Sequence, residues 1–458
     1  MCGEVVVAVE GCCHGELDSI YETIAQAESL GSPKVELLIV CGDFQSVRDI
    51  VDLQCLAVPE KYRAMNSFHR YFSGESLAPV LTIFIGGNHE ASNALQSLYY
   101  GGWICQNIYF LGFAGVVNYK GLRIGGISGI FNHRHYHLGH YERTPYTNQD
   151  LYSVYHLREL EIYRMAHLQT RVEQTPLDIF ISHDWPGGIW NYGDSRRLVM
   201  RKPYLEEDMR TNKLGSPPLM ALLKLLKPTY WFAAHLHVKF SAIVPHLIDE
   251  FSQSSVANLS SKTTQCITIS EKGEKNTKFL SLDKCMPGRE FLQILNIPCS
   301  RSSQIDDASL STVSPSFLQY DMEWLAILKR THHLLTVHRG VIEIPRELDP
   351  PSDENIREIQ EIFSTFSFGR NIPPTDHGSK ERRDENHSTS DVGDTNEVLN
   401  MLGLNHYWME GCSYKMNIVS NKQTQPPSLP PLSLATGFPE ITPSTDPCEV
   451  YVDEAELS

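Results

Sequence analysis

The sequence predicts an α/β fold whose chemistry collects at the carboxyl-terminal edge of a sheet. Three observations carry this. Short β-branched apolar runs alternate with stretches whose apolar residues recur at helical spacing. Five of those runs stop abruptly in glycine or in side chains that ligate metals. At 458 residues, 41% hydrophobic and 21% charged, the chain can bury a sizeable core and is expected to hold more than one folded unit.

The first run, Val5 to Val9, ends at Glu10-Gly11-Cys12-Cys13-His14-Gly15, after which Leu17, Ile20, Tyr21, Ile24 and Ala27 recur as on a helix. On an extended backbone residues two apart face one way, so Cys12 and His14 are expected to converge on one ion while Cys13 turns away. A buried cysteine beside a turn histidine is the plainer alternative. The second run, Glu36 to Cys41, ends at Gly42-Asp43, a pair that also serves as a turn or helix cap. The third, Leu81 to Ile85, ends at Gly86-Gly87-Asn88-His89-Glu90, where two glycines permit a sharp turn and close backbone approach. Ile108 to Leu111 and Val116 to Ile124 read as short paired strands joined by glycine turns, and Ile124 to Ile130 as another strand.

From Phe131 to about Tyr155 the chain changes character. Arg134, His135, Tyr136, His137, His140, Tyr141 and Arg143 follow one another with little apolar support. Interleaved cations, imidazoles and aromatics suit phosphates and unstacked bases, and the alternative is a surface loop that is simply rich in histidine. Leu157 to Leu168 returns to helical spacing. Leu177 to Ser182 is the fourth run and ends at His183-Asp184-Trp185-Pro186; after a helix over Leu219 to Leu226, the fifth, Thr229 to Ala234, ends at His235-Leu236-His237. The tips therefore supply Cys12, His14, Asp43, Asn88, His183, His235 and His237, more than one structural metal needs. Asp43 is the only carboxylate among them and the natural bridge between two ions.

Composition narrows the class. The formal net charge of −16 disfavours a nucleic-acid partner for the chain as a whole, but that sum mixes a folded body with an acidic tail. Eleven cysteines without framework spacing imply reduced thiols in a cytosolic or nuclear compartment. The first residues lack a secretory pattern, no apolar run is long enough to span a membrane, and the chain is expected to stay inside the cell.

The order of these motifs resembles the calcineurin-like metallophosphoesterases, and within them the lariat debranching enzymes. The stretches that carry the resemblance are Gly11-Cys-Cys-His-Gly-Glu-Leu-Asp18, Cys41-Gly-Asp-Phe-Gln45, Phe84-Ile-Gly-Gly-Asn-His-Glu-Ala-Ser92, Gly125-Gly-Ile-Ser-Gly-Ile-Phe131, Ser182-His-Asp-Trp-Pro186 and Pro228 to Phe240, resuming at Thr277 to Pro287. Most of that superfamily begins its first motif Asp-x-His; Cys12 in that place marks the debranching branch. The resemblance implies a two-sheet α/β metallophosphoesterase sandwich with metals at the strand ends and a smaller C-terminal domain packed on it. It implies that Cys12, His14, Asp43 and His237 hold one divalent metal and Asp43, Asn88, His183 and His235 the other, as Fe(II) and/or Zn(II), with Mn(II) able to support activity. It further implies that residues 128–158 recognise branched intron RNA, with Arg134, Tyr136, His137, Tyr141 and Arg158 as contacts. The expected reaction is hydrolysis of the 2'-5' phosphodiester of an intron lariat in the nucleus, with the cytoplasm a second compartment. His89 is the candidate general acid, and Glu90 stands behind the ligands to orient them.

On this reading residues 1–245 form the catalytic domain and 246–345 the C-terminal domain, interrupted by a polar insertion at 246–276. Residues 346–458 form a mostly disordered tail. Within it Ile356, Ile359, Ile362, Phe363 and Phe366 keep helical spacing, and Val398 to Leu404 is a candidate partner-binding helix. Two rival functions stay open: another metal-dependent phosphodiesterase or phosphatase of the same fold, and a catalytically silent scaffold.

Overall fold

The computed structural model describes residues 3–169, 176–246, 275–299, 318–347, 349–365, 371–372 and 398–404. Almost all of the expected polar insertion and everything from 405 onward lie outside them. Thirteen strands are described: β1 (Glu4–Glu10), β2 (Leu37–Val40), β3 (Leu81–Phe84), β4 (Gly102–Cys105), β5 (Ile108–Phe110), β6 (Ala114–Tyr119), β7 (Leu122–Ile127), β8 (Ile179–Ser182), β9 (Tyr230–Ala233), β10 (Phe240–His246), β11 (Lys275–Ser281), β12 (Leu292–Pro298) and β13 (Leu318–Tyr320). They form a six-stranded sheet in the order β12-β1-β2-β3-β5-β4 and a seven-stranded sheet in the order β10-β11-β9-β8-β7-β6-β13. The centre of each is parallel, β1 to β2 to β3 to β5 in one and β7 to β8 to β9 to β11 in the other.

Side-chain alternation makes the two sheets into a sandwich. Val5, Val7, Val9, Leu37 and Ile39 of the first sheet share a core with Ile124, Ile179, Ile181 and Phe232 of the second. The opposite faces of the same strands, through Ala8, Leu38 and Val40, meet Leu17, Ile20, Tyr21 and Ile24 of the helix Leu17–Ser29. Behind the second sheet, Phe180 and Trp231 pack with the helices Pro217–Leu226 and Met322–Thr331. Each fully buried side chain of this size contributes about 1.5–3 kcal/mol.

The C-terminal part of the chain completes both sheets. β12 lies antiparallel on β1, with Val7 opposite Leu295, and β11 runs parallel to β9. The helix Met322–Thr331 is tied to β7 by Arg123, whose guanidinium donates to Asp321 at 2.8 Å and to Glu323 at 2.7 Å, all three side chains being buried. The helix Asp353–Ser364 buries Ile356, Ile359 and Phe363 against the same core. The stretch 398–404, expected to await a partner, packs Val398, Leu399, Leu402 and Leu404 there too. β10 went unread in the sequence, although Phe240, Ala242, Val244 and His246 alternate inward.

Candidate metal centre

All five expected tips reach one crevice. Ligand atoms of Cys12, His14, Asp43 and His237 lie within 4.8 Å of one another. His14 Nε2 is 3.3 Å from His237 Nε2 and 3.8 Å from Asp43 Oδ2. On the other side of Asp43, its Oδ1 is 3.3 Å from His183 Nε2, which is also 3.1 Å from Asn88 Oδ1. The ring of His235 stands 5.0 Å from that of His183. Asp43 thus touches both groups.

The local backbone differs from the expected one. His14, Asp43, His235 and His237 have φ of 48°, 46°, 66° and 46°, the left-handed region that non-glycine residues avoid. Cys12 and His14 therefore converge through a left-handed turn, not through strand alternation, and so do His235 and His237. Four such residues at one site are strain held by their surroundings. Two glycines make room: a Cβ on Gly87 would stand 2.2 Å from Asp43 Oδ1, and one on Gly42, itself at φ 112°, 2.3 Å from His183 Nδ1.

Glu90 is the staple between tips. Its Oε1 accepts from the N–H of Phe44 at 2.7 Å and of Gly87 at 2.9 Å, and its Oε2 from that of Gln45 at 2.8 Å, locking the turn after Asp43 to the turn before Asn88. Burial and then the nearby Asp43 push its carboxyl up to about 8, against those three donors. His89 is buried beside the ligands. Its N–H donates to Asp43 Oδ1 at 2.8 Å, and its Nδ1 lies 3.9 Å from Asp43 Oδ2.

The donors fit cations. His183 Nδ1 lies 2.9 Å from the Cys41 carbonyl, to which it donates, and its Nε2 faces two oxygens, Asp43 Oδ1 and Asn88 Oδ1; burial would lower this ring, but Asp43 raises it. A second proton or a metal ion must sit between them. Burial holds the rings of His14 and His235 well below their usual value, the state in which imidazole ligates. Burial would raise Asp43, yet the neighbouring His183 and His89 keep it well below the usual carboxylate range.

Two neighbours carry no motif of their own. Gln45 Nε2 is 3.2 Å from His14 Nδ1 and orders that ring. Lys284, buried opposite Cys12 through a parallel bridge, adds to the burial and imidazole neighbours that lower His14 and His89. Its only sequence signal is its place in the resuming stretch Thr277 to Pro287.

The loop residues are spread. Arg134 is exposed, Tyr136 half-buried on Phe131, and His137 exposed with Nδ1 2.6 Å from Glu159. Tyr141 is half-buried and donates to Ser153 at 3.2 Å. Arg158, expected among the RNA contacts, is instead fully buried, its Nη2 2.6 Å from Glu142 Oε1. A guanidinium lacking surface cannot meet a phosphate there, and Arg158 holds the base of the loop. His140, His156 and Arg158 line one cavity together with Gly86, Gly87 and Glu90.

A two-sheet sandwich whose strand tips converge on a shared aspartate defines the class, a metallophosphoesterase. Residues 5–239 match the calcineurin-like phosphoesterase family, and residues 274–407 match the lariat debranching enzyme C-terminal domain. The chain is 51% identical over 339 residues to a lariat debranching enzyme of Homo sapiens, covering 74% of this chain and 56% of that one. It is 46% identical over 396 residues to one of Drosophila melanogaster, covering 81% and 71%. With one of Arabidopsis thaliana it shares 42% identity over 458 residues, covering 98% and 96%. The chain belongs to the lariat debranching enzyme family. It spans 56% of the length of the human and mouse relatives.

Proposed function

We propose that this chain hydrolyses the 2'-5' phosphodiester bond at the branch point of excised intron lariat RNA. The observation that carries the hydrolytic part is the cluster of Cys12, His14, Asp43 and His237 within 4.8 Å, backed by Asn88, His183 and His235 around the same Asp43. The branched substrate is supported by the nearly end-to-end likeness to the Arabidopsis enzyme of that name.

Cys12, His14, Asp43 and His237 would hold one divalent metal, and Asp43, Asn88, His183 and His235 the other. Such a pair supplies Lewis acidity and a nucleophile at neutral pH. A thiol among imidazoles and a carboxylate favours Fe(II) or Zn(II), with Mn(II) supporting activity in excess. The chain's own residues do the rest. Glu90 fixes the two ligand turns, and Gly42 and Gly87 leave the oxygens uncovered. His89, whose Nδ1 faces Asp43 Oδ2, is the side chain that would protonate the leaving oxygen, acting as the imidazolium that Asp43 favours against the burial that lowers it. One water is consumed: its oxygen bonds to phosphorus, the bond from phosphorus to the 2'-oxygen breaks, the proton from His89 completes the 2'-hydroxyl, and a proton given up by the water restores His89 through solvent. The products are a 5'-phosphate and a 2'-hydroxyl on linear RNA. This substrate assigns the protein to the nucleus first and the cytoplasm second.

The test is anaerobic purification with metal analysis, followed by parallel assay on branched and linear RNA. Close to two metals per chain and a strong preference for the branch are expected. Equal rates on both RNAs would leave a general phosphodiesterase, and absence of bound metal a scaffold.

A further inference from the structure

Residues 336–342 dock along the loop through one antiparallel bridge and the backbone hydrogen bonds around it. The N–H of Gly139 donates to the Gly340 carbonyl at 3.1 Å, that of His140 to Thr336 at 2.9 Å and that of Ile342 to His137 at 2.8 Å, with Leu138 bridged to Val341. Arg143 Nη2 adds a bond to the Val337 carbonyl at 3.4 Å. The seam is close: a Cβ on Gly139 would stand 2.2 Å from Thr336 Oγ1 and 2.6 Å from the His338 carbonyl oxygen. A segment pinned on both sides in this way presents its side chains from fixed positions.

What it presents includes a cation. His338 and Arg339 are both exposed, and the Arg339 guanidinium stands 5.3 Å over the ring of Tyr141. Its charge also reaches His135, whose basicity is lowered by burial, by Arg158 and in smaller part by Arg339. His135 stacks on His156 with ring centroids 4.9 Å apart, and His156 lines the cavity that Gly86 and Gly87 also line. Arg339 over Tyr141 and His135 on His156 thus form two pairs, one joining the C-terminal segment to the loop and one within the loop, coupled through the charge of Arg339 at His135. An arginine held over an aromatic face offers a phosphate two donors and a base a planar partner, with less side-chain freedom to lose than a solvated lysine.

We infer that Arg339, delivered by the docked segment 336–342, is a specificity-determining residue that binds a single-stranded arm of the RNA beside Tyr141. This rests on the reading of branched RNA as the substrate. It adds to the loop a part of the interface that comes from almost two hundred residues further along the chain.

The experiment compares the metal-loaded full chain with Arg339→Ala, Arg339→Lys and Arg339→Glu in steady-state cleavage of a branched RNA across a series of salt concentrations. Arg339→Ala raises KM about fivefold with kcat held, and lowers the slope of log KM against log salt by about one. Arg339→Lys restores the slope but only part of the affinity, because an ammonium lacks the planar face. Arg339→Glu is weaker than Arg339→Ala. KM and slope equal to the parent's in both Arg339→Ala and Arg339→Glu overturn the inference, as does a fall in kcat with KM unchanged. A parent that fails to prefer branched over linear RNA overturns the substrate reading, and this inference with it; a parent that keeps its preference while the variants match it sinks the inference alone.

Discussion

Cys12 is the one thiol among candidate ligands that are otherwise imidazoles, an amide and a carboxylate. Burial, with Asp43 and Glu10 nearby, raises its thiol well above the usual value, so a bound cation is what favours the thiolate. Cys12→Asp should fold and hold two hard divalent ions yet retain less Zn or Fe through anaerobic purification. Cys12→Ser, lacking both charge and soft donor, should retain least. Metal content of the three proteins decides it, and a serine variant equal to the parent would make Cys12 a structural cysteine. His89 makes the complementary case, since it touches Asp43 without joining the donor cluster. His89→Ala should keep its metals and bind branched RNA while kcat falls about a hundred- to ten-thousandfold. A phosphodiester with a good leaving group should lose far less, and equal losses on both would exclude His89 as the acid. These residues were legible because a ligand-type side chain directly after an apolar run is a local signal. Gln45 and Lys284 were not, since each acts across turns that no spacing rule connects.

At the scale of elements, the site is five turns held in mutual register. The strands were recognisable from their β-branched runs, but the left-handed conformations of His14, Asp43, His235 and His237 were not, because glycine alone announces that region in a sequence. The register between turns depends on Glu90, whose carboxylate joins two of them through three backbone N–H groups. Glu90→Gln replaces an acceptor with an amide NH2 and turns at least one of those contacts repulsive. Metal affinity should fall about ten- to a hundredfold with little change in the strands, as read by chelator competition and circular dichroism. Affinity equal to the parent's would show that the turns keep their register unaided. Arg158 illustrates the opposite limit: its sequence context is that of a surface cation, and only the fold reveals Glu142 beside it.

For the molecule as a whole, acid stability turns on a buried network behind the loop. Glu161 accepts from His140 Nε2 at 3.0 Å and from the hydroxyl of Tyr99, which Arg164 Nη1 joins at 2.9 Å. Burial would raise Glu161, but His140 and Arg164 bring it down to about 2 from 4.5. Its folded-state value is depressed, so the stability it contributes is complete above about 4.5 and disappears as pH falls towards 2, on the order of 3 kcal/mol in all. Glu161→Gln should therefore narrow the gap in urea midpoint between pH 7 and pH 3; an unchanged gap would place the acid sensitivity elsewhere. The two-sheet plan was legible from the resemblance, whereas the docking of 336–342 was not, being a pairing between segments far apart and without shared periodicity. The pairing of β1 with β12 carries a consequence for synthesis. Val5 to Val9 leave the ribosome almost three hundred residues before the strand that covers their outer edge. At about 5–20 residues per second that edge waits roughly 15 to 60 s as a bare apolar template, open to pairing with other strands until translation delivers its own.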